Sequence, residues 1–221
     1  LPATLFLSAR WIEANAATAA DLAAEPLFEI ANHGAMHRPC SVSGRRAFGI
    51  PGSASSDAAR TEIVTASERI AALTGHEPRF YRPGTGYYDG VCLSLVHELG
   101  LVPLGYSVAA DVGGHASAEA VRQAVGQASD GAIVLGHMNH PESDIAEGMV
   151  GAIADLRHRG VALVRRRTAR PPCNFAAVWL PAGPRSKSPR VSPQATMVPA
   201  LFVATPASSS MASPPKVTSQ R

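Results

Sequence analysis

At 221 residues, 46% of them apolar, the chain is long enough for one domain with a real core, and no apolar run reaches the length of a membrane span. Its net charge of +3 is unevenly distributed: up to Arg170 there are 15 Arg against 17 acids, a net of −2, and the five remaining bases follow with no acid among them. The basic excess therefore belongs to the end of the chain, and nucleic-acid binding by the folded part has no support in the charge pattern.

Leu5-Phe6-Leu7 follows a proline and reads as a short buried strand. Ala16 to Ala24 is Ala-rich and helical, ending near Pro26, and Leu27 to Ala31 is a second strand. Residues 58–74 place Ile63, Ala66, Ile70 and Leu73 at helical spacing, with Gly75 as a C-cap. Phe80-Tyr81, a glycine-rich turn and a helix from Gly90 to Leu99 come next. Val102 to Val108 reads as one strand, Ala116 to Ala128 as a helix and Ala132 to Leu135 as a strand. Ala146 to Arg159 and Val161 to Val164 supply a last helix and strand. Such alternation implies an α/β fold with a parallel sheet, open or closed into a barrel.

Beyond Arg170 the composition changes. Half or more of the 18 prolines fall there, among Ser, Ala and Thr. A segment of this kind buries too little surface to offset its ordering entropy, so the expected division is a domain over 1–170 and a disordered basic tail over 171–221. Cys40, Cys92 and Cys173 show no CxxC spacing. A disulfide pair is allowed, but the odd count gives no framework, and the redox compartment stays open. The chain begins with Leu1, so a signal peptide is neither found nor excluded.

Three places could carry chemistry. Asn32-His33-Gly34-Ala35-Met36-His37 sets two histidines four apart directly after a strand end. On a helical turn that spacing lets two neutral imidazoles grip one zinc ion; a structural or surface pair is the alternative. Arg82-Pro83-Gly84-Thr85-Gly86 is a tight loop whose amides can face a ligand, or an ordinary turn with a surface Arg. His137 follows the apolar run Ile133-Val134-Leu135, where a rim histidine can be tuned for proton transfer or simply be hydrogen-bonded. Asp111 could orient it, or cap a turn.

In order and spacing these sites resemble the polysaccharide deacetylase family (the NodB homology domain, carbohydrate esterase family 4). The family's His, Ser or Thr, two residues and His motif looks like His33 to His37, with Gly34 in place of the hydroxyl residue. Its Arg-Pro-Pro-Tyr-Gly loop is similar to Arg82 to Gly86, and its Leu-x-His motif to Leu135-Gly136-His137. The Glu62-to-Gly75 helix and Leu156-Arg157-His158-Arg159-Gly160 also fit, so the likeness covers about residues 1–166.

The resemblance implies a distorted (β/α) barrel of seven strands and metal-dependent hydrolysis of acetyl groups on N- or O-acetylated carbohydrate. His33 and His37 would hold a divalent metal, zinc in the usual case. His137 would be the general acid, tuned by Asp111, and Arg82 would position the catalytic base. The Thr85 amide would face the oxyanion, with Pro83 and Gly84 shaping the substrate loop. The partner implied is an acetylated poly- or oligosaccharide, and secretion or a cell-envelope location is usual.

The family's third metal ligand and its base sit in a Thr-Phe-Asp-Asp-Gly motif on a first strand, and no Asp-Asp pair occurs in this sequence. The expectation is a chain lacking that strand, with an open edge beside residues 2–6 and its activity in question. The alternatives are a relative that binds carbohydrate without catalysis, and an unrelated α/β domain with structural histidines.

Overall fold

The computed structural model describes residues 1–111, 113–164 and 199–206. Strand β1 (Ala3–Leu7) is buried along its whole length, and β2 (Phe28–Asn32) pairs with it in parallel, Ala3 opposite Phe28 and Leu7 opposite Asn32. The crossover between them is helical: α1 (Ala9–Ala14), capped by the Ser8 hydroxyl accepting from the Trp11 N–H, runs into α2 (Ala16–Ala24). The first of these is too short to show as a periodic pattern.

Helix α3 (Ser56–Thr74) starts on a Ser55 cap and stops at Gly75 in the left-handed region. Its buried face carries Ile63, Ala66 and Ile70, as the periodicity predicts, with Leu73 half-buried, and also Ala59 and Glu62. Then follow β3 (Phe80–Tyr81), α4 (Gly90–Glu98), β4 (Val102–Pro103) and β5 (Val108–Ala109). Helix α5 (Ala118–Gly126), β6 (Ile133–His137), α6 (Ile145–His158), β7 (Val161–Val164) and β8 (Pro199–Pro206) complete the described elements.

The sheet order is β4-β3-β2-β1-β8-β6-β5, with β7 paired to β8 off this path. The ladders β1–β2, β2–β3, β3–β4 and β5–β6 are parallel, so the fold is α/β with parallel strands. Among the described residues no β4–β5 ladder joins the two ends of this order. Both β1 and β6 run antiparallel to β8, and therefore parallel to one another. The C-terminal ends of β1, β2, β3 and β6 thus point the same way, the edge where parallel α/β folds gather chemistry.

Two expectations need correction. The single strand over Val102–Val108 is two short strands: β4 pairs with β3 and β5 with β6. Pro103, which has no N–H to extend a ladder, precedes the crossing from one pairing to the other. The tail is not wholly without structure, for residues 199–206 form β8 between β1 and β6. An apolar run bounded by Pro199 and Pro206 can satisfy the backbone groups of strands that would otherwise end in an open edge, and it fills the gap expected beside β1. The rest of the tail, Cys173 included, lies outside the described residues.

Alternation along β1 sends Leu5 and Leu7 to one face, where they pack with Ile12, Ile30 and Ile70, and Phe6 to the other, with Ala31, Phe80 and Leu104. Cys40 and Cys92 are joined by a disulfide with Cα atoms 5.7 Å apart, which ties the loop after His37 to α4.

Candidate functional site

The first site is built on the end of β2. The chain leaves the sheet at Asn32 and does not form the helical turn that the His spacing suggested: Gly34 has φ +80 and His37 has φ +63. Through this irregular loop the His33 and His37 rings nevertheless meet, with centroids 4.9 Å apart and planes nearly perpendicular. Both residues are buried. The expected juxtaposition holds; its local geometry differs, because buried side chains of other elements hold the loop instead of helical hydrogen bonds.

The His33 backbone N–H donates to the Leu7 carbonyl, which continues the β1–β2 ladder by one residue. His33 Nδ1 lies 2.6 Å from the Arg82 carbonyl oxygen. A carbonyl can only accept, so Nδ1 carries the proton and the Nε2 lone pair is left available. His37 Nε2 is buried and has no hydrogen-bond partner among the described residues. Burial, followed by the positive field of neighbouring groups, holds both imidazoles neutral: His33 is pushed well below the usual histidine range and His37 down to about 4. Two neutral imidazoles with uncommitted nitrogens form a donor set that suits a divalent metal. They make half of a tetrahedral set, and among the described residues no group of three or more His, Cys, Asp or Glu gathers to hold a metal.

The loop after β3 lies against this pair. The Arg82 N–H donates to the Asn32 carbonyl, and the Gly86 N–H closes a turn onto the Pro83 carbonyl at 2.8 Å. Gly84 presses directly on His37: a Cβ there would stand 2.3 Å from His37 Cγ. The Thr85 hydroxyl accepts from the Tyr87 N–H. The Arg82 side chain turns inward instead of to the surface. It is 1% exposed, its guanidinium sits 4.4 Å from the Phe6 ring centroid, and Nη1 and Nη2 have no hydrogen-bond partner among the described residues. Burial lowers its pKa to about 10, which leaves it a cation at neutral pH. A buried cation without an anion is costly.

The third part comes from β5 and β6. Asp111, fully buried just beyond β5, accepts from His137 Nδ1 at 2.7 Å and also from the His137 backbone N–H. The carboxylate holds the proton on Nδ1 and leaves the His137 Nε2 lone pair available. His137 lies close enough to His33 and His37 to lower the pKa of both. The structure therefore brings His33, His37, the Arg82 loop with Pro83, Gly84 and Thr85, and the His137–Asp111 pair to one edge of the sheet. His140, three residues past His137, pairs with Glu142 at 2.9 Å and meets the His115 ring.

Residues 1–104 match the family described as polysaccharide deacetylase. Over that span, just under half of its length, the chain is similar to the polysaccharide deacetylase family. Among solved structures it is similar to a family 4 carbohydrate esterase pseudoenzyme from Bacillus anthracis, at 23% identity over 71% of this chain and 51% of that one, with a TM-score of 0.60. It is also similar to the family 4 carbohydrate esterase of Streptomyces lividans in complex with acetate, at 21% identity over 72% and 76% of the two chains, TM-score 0.58. A family 4 acetyl xylan esterase from Clostridium thermocellum, in complex with a cobalt ion, matches at 25% identity over 71% of each chain, TM-score 0.55. At these identities the likeness is one of fold, and the chain spans about half the length of the pseudoenzyme chain. No curated protein matches.

Two residues of this site escaped the sequence reading. Asn32 is fully buried; its carbonyl oxygen accepts from the Gly34 N–H, and its amide donates to the Ile63 carbonyl and the Ser67 hydroxyl. Glu62 accepts from the Met36 and Arg38 amides. The available signal for Glu62 was a charge on the apolar stripe of its helix, one turn before Ala66.

Proposed function

We propose that this chain carries most of the active site of a carbohydrate deacetylase that removes acetyl groups from N- or O-acetylated poly- or oligosaccharide. The observation that supports this best is the convergence of a neutral, buried His pair after β2 with an Asp-oriented histidine at the end of β6, on one edge of the sheet. His33 and His37 would hold a divalent metal, zinc in the first instance, which when bound supplies Lewis-acid activation of water and of the acetyl carbonyl. His137 Nε2 delivers a proton to the departing amine or hydroxyl, with Asp111 stabilising the imidazolium that precedes delivery. The Thr85 amide faces the charge that develops on the acetyl oxygen, and Pro83 and Gly84 hold the loop that presents it. Arg82 positions a carboxylate base.

That base and the remaining protein ligand are absent from the described residues, and we propose that an Asp-Asp strand from outside this sequence supplies both, taking the place beside β1 that β8 holds here. The unpaired Arg82 guanidinium supports this, as it offers two donors to a carboxylate. A disulfide between two buried cysteines suits an oxidising compartment, so a secreted or cell-envelope location is part of the proposal. No described helix is long and apolar enough to cross a membrane.

A second reading, a carbohydrate-binding protein without catalysis, is favoured by one observation: the described residues offer no third metal ligand. Acetate release from acetylated chitin oligomers and acetylated xylan, with zinc and with a chelator, separates the two. Chelator-sensitive release supports the enzyme. Oligosaccharide binding without release under any condition supports the binder.

A further inference from the structure

The loop that carries His33 and His37 has no secondary structure of its own, so something else must fix it. Of its amide groups, the Ala35 N–H donates to the Glu62 backbone carbonyl at 2.8 Å. The Met36 and Arg38 N–H groups, on either side of His37, both donate to Glu62 Oε1, at 2.8 and 3.1 Å. One buried residue of α3 therefore takes three of the amides that surround His37, and Glu62 itself is only 6% exposed. A carboxylate placed there is costly to desolvate, and charge-assisted bonds from backbone amides are what offset that cost.

Gly34 supplies an independent observation. A Cβ at residue 34 would lie 2.7 Å from Glu62 Oε1 and 3.2 Å from its Cγ, on a backbone at φ +80. The space that a side chain would take at this position, where the family motif has a hydroxyl residue, is filled by the Glu62 carboxylate. The departure at Gly34 and the buried acid at Glu62 are one arrangement.

We infer that Glu62 is a positioning residue that occupies the space left beside Gly34 and clamps the Met36 and Arg38 amides so that the His37 ring faces His33. The inference rests on the metal reading of that pair only for its second readout.

The test uses the full chain and the variants Glu62→Ala and Glu62→Gln, read by amide hydrogen exchange in metal-free buffer and by zinc affinity. Gln keeps a carbonyl oxygen that can accept the same two bonds. In Glu62→Ala, exchange at Met36 and Arg38 accelerates about tenfold or more while the β1–β2 ladder is unaffected, and Glu62→Gln stays near the wild type. Zinc affinity falls roughly tenfold or more in Glu62→Ala and is rescued in Glu62→Gln. Unchanged exchange at the two amides, or unchanged zinc affinity where the wild type binds zinc, overturns the inference. Should Glu62→Ala not fold, Gly34→Ala serves, since its methyl group displaces the carboxylate: faster exchange at Met36 and Arg38 supports the clamp, and unchanged exchange overturns it. A wild type that binds no zinc defeats the metal reading alone, and the exchange data still decide the clamp.

Discussion

Both carboxylate oxygens of Asp111 are committed to His137: Oδ1 accepts from ring Nδ1 at 2.7 Å and Oδ2 from the backbone N–H of the same residue. One buried acid from the end of β5 thereby fixes the position, ring rotation and tautomer of the last residue of β6. Replacing Asp111 with Asn removes the obligate acceptor and lets the ring populate the other tautomer. The expected result is a change in the ring nitrogen NMR pattern of His137, a stability loss of about 1–3 kcal/mol and, where acetate release is measurable, a fall of roughly 10²-fold. An unchanged ring spectrum would show that Asp111 does not set the tautomer.

Gly84 lies so close to His37 that even a methyl group must displace it. Gly84→Ala is therefore expected to destabilise the fold by about 1–3 kcal/mol, as overpacking does, and to shift the His37 ring resonances. Denaturant unfolding of the two proteins measures the first effect. Equal midpoints and slopes would mean that the loop yields at no cost.

Stability should depend on pH through His37. Its pKa falls from 6.5 to about 4 on folding, so the unfolded chain binds more protons in that interval. The contribution is fully present above about pH 6.5 and is lost as pH falls towards 4, on the order of 3 kcal/mol in all. His33 acts in the same direction. The difference in unfolding free energy between wild type and His37→Asn, followed from pH 7.5 to 4 without metal, should shrink on acidification. A constant difference would show that His37 is not buried as a neutral ring.

The Cys40–Cys92 bond closes a loop across 52 positions. Chain-entropy reasoning assigns it about 4 kcal/mol, so reduction should lower the melting temperature markedly. Thiol labelling of the unfolded, unreduced chain should modify Cys173 and spare the other two. Three reactive thiols would refute the bond.

The strand-and-helix order and the three motif positions were legible in the sequence because each rests on local pattern: apolar runs, glycine stops and short spacings. What escaped it was set by contacts between distant segments. His33 and His37 read as a helical pair, yet Asn32 and Glu62 impose an irregular loop, and neither polar residue is marked as buried until α3 is packed on β2. The alternative of a surface Arg82 stays open until Phe6 is seen beneath its guanidinium. Val102 to Val108 reads as one strand because period-two patterning does not say which neighbour each half will pair with. The Pro-rich tail hid β8, whose apolar run becomes a strand only where β1 and β6 stand unpaired.

The most direct test of the proposed site is zinc titration of the full chain by calorimetry, beside the His33→Ala/His37→Ala double variant. The account predicts that the wild type binds zinc, weakly for want of a third protein ligand, and that the double variant loses this binding while keeping its secondary structure. Binding of equal strength in both proteins, or none in the wild type, would contradict it.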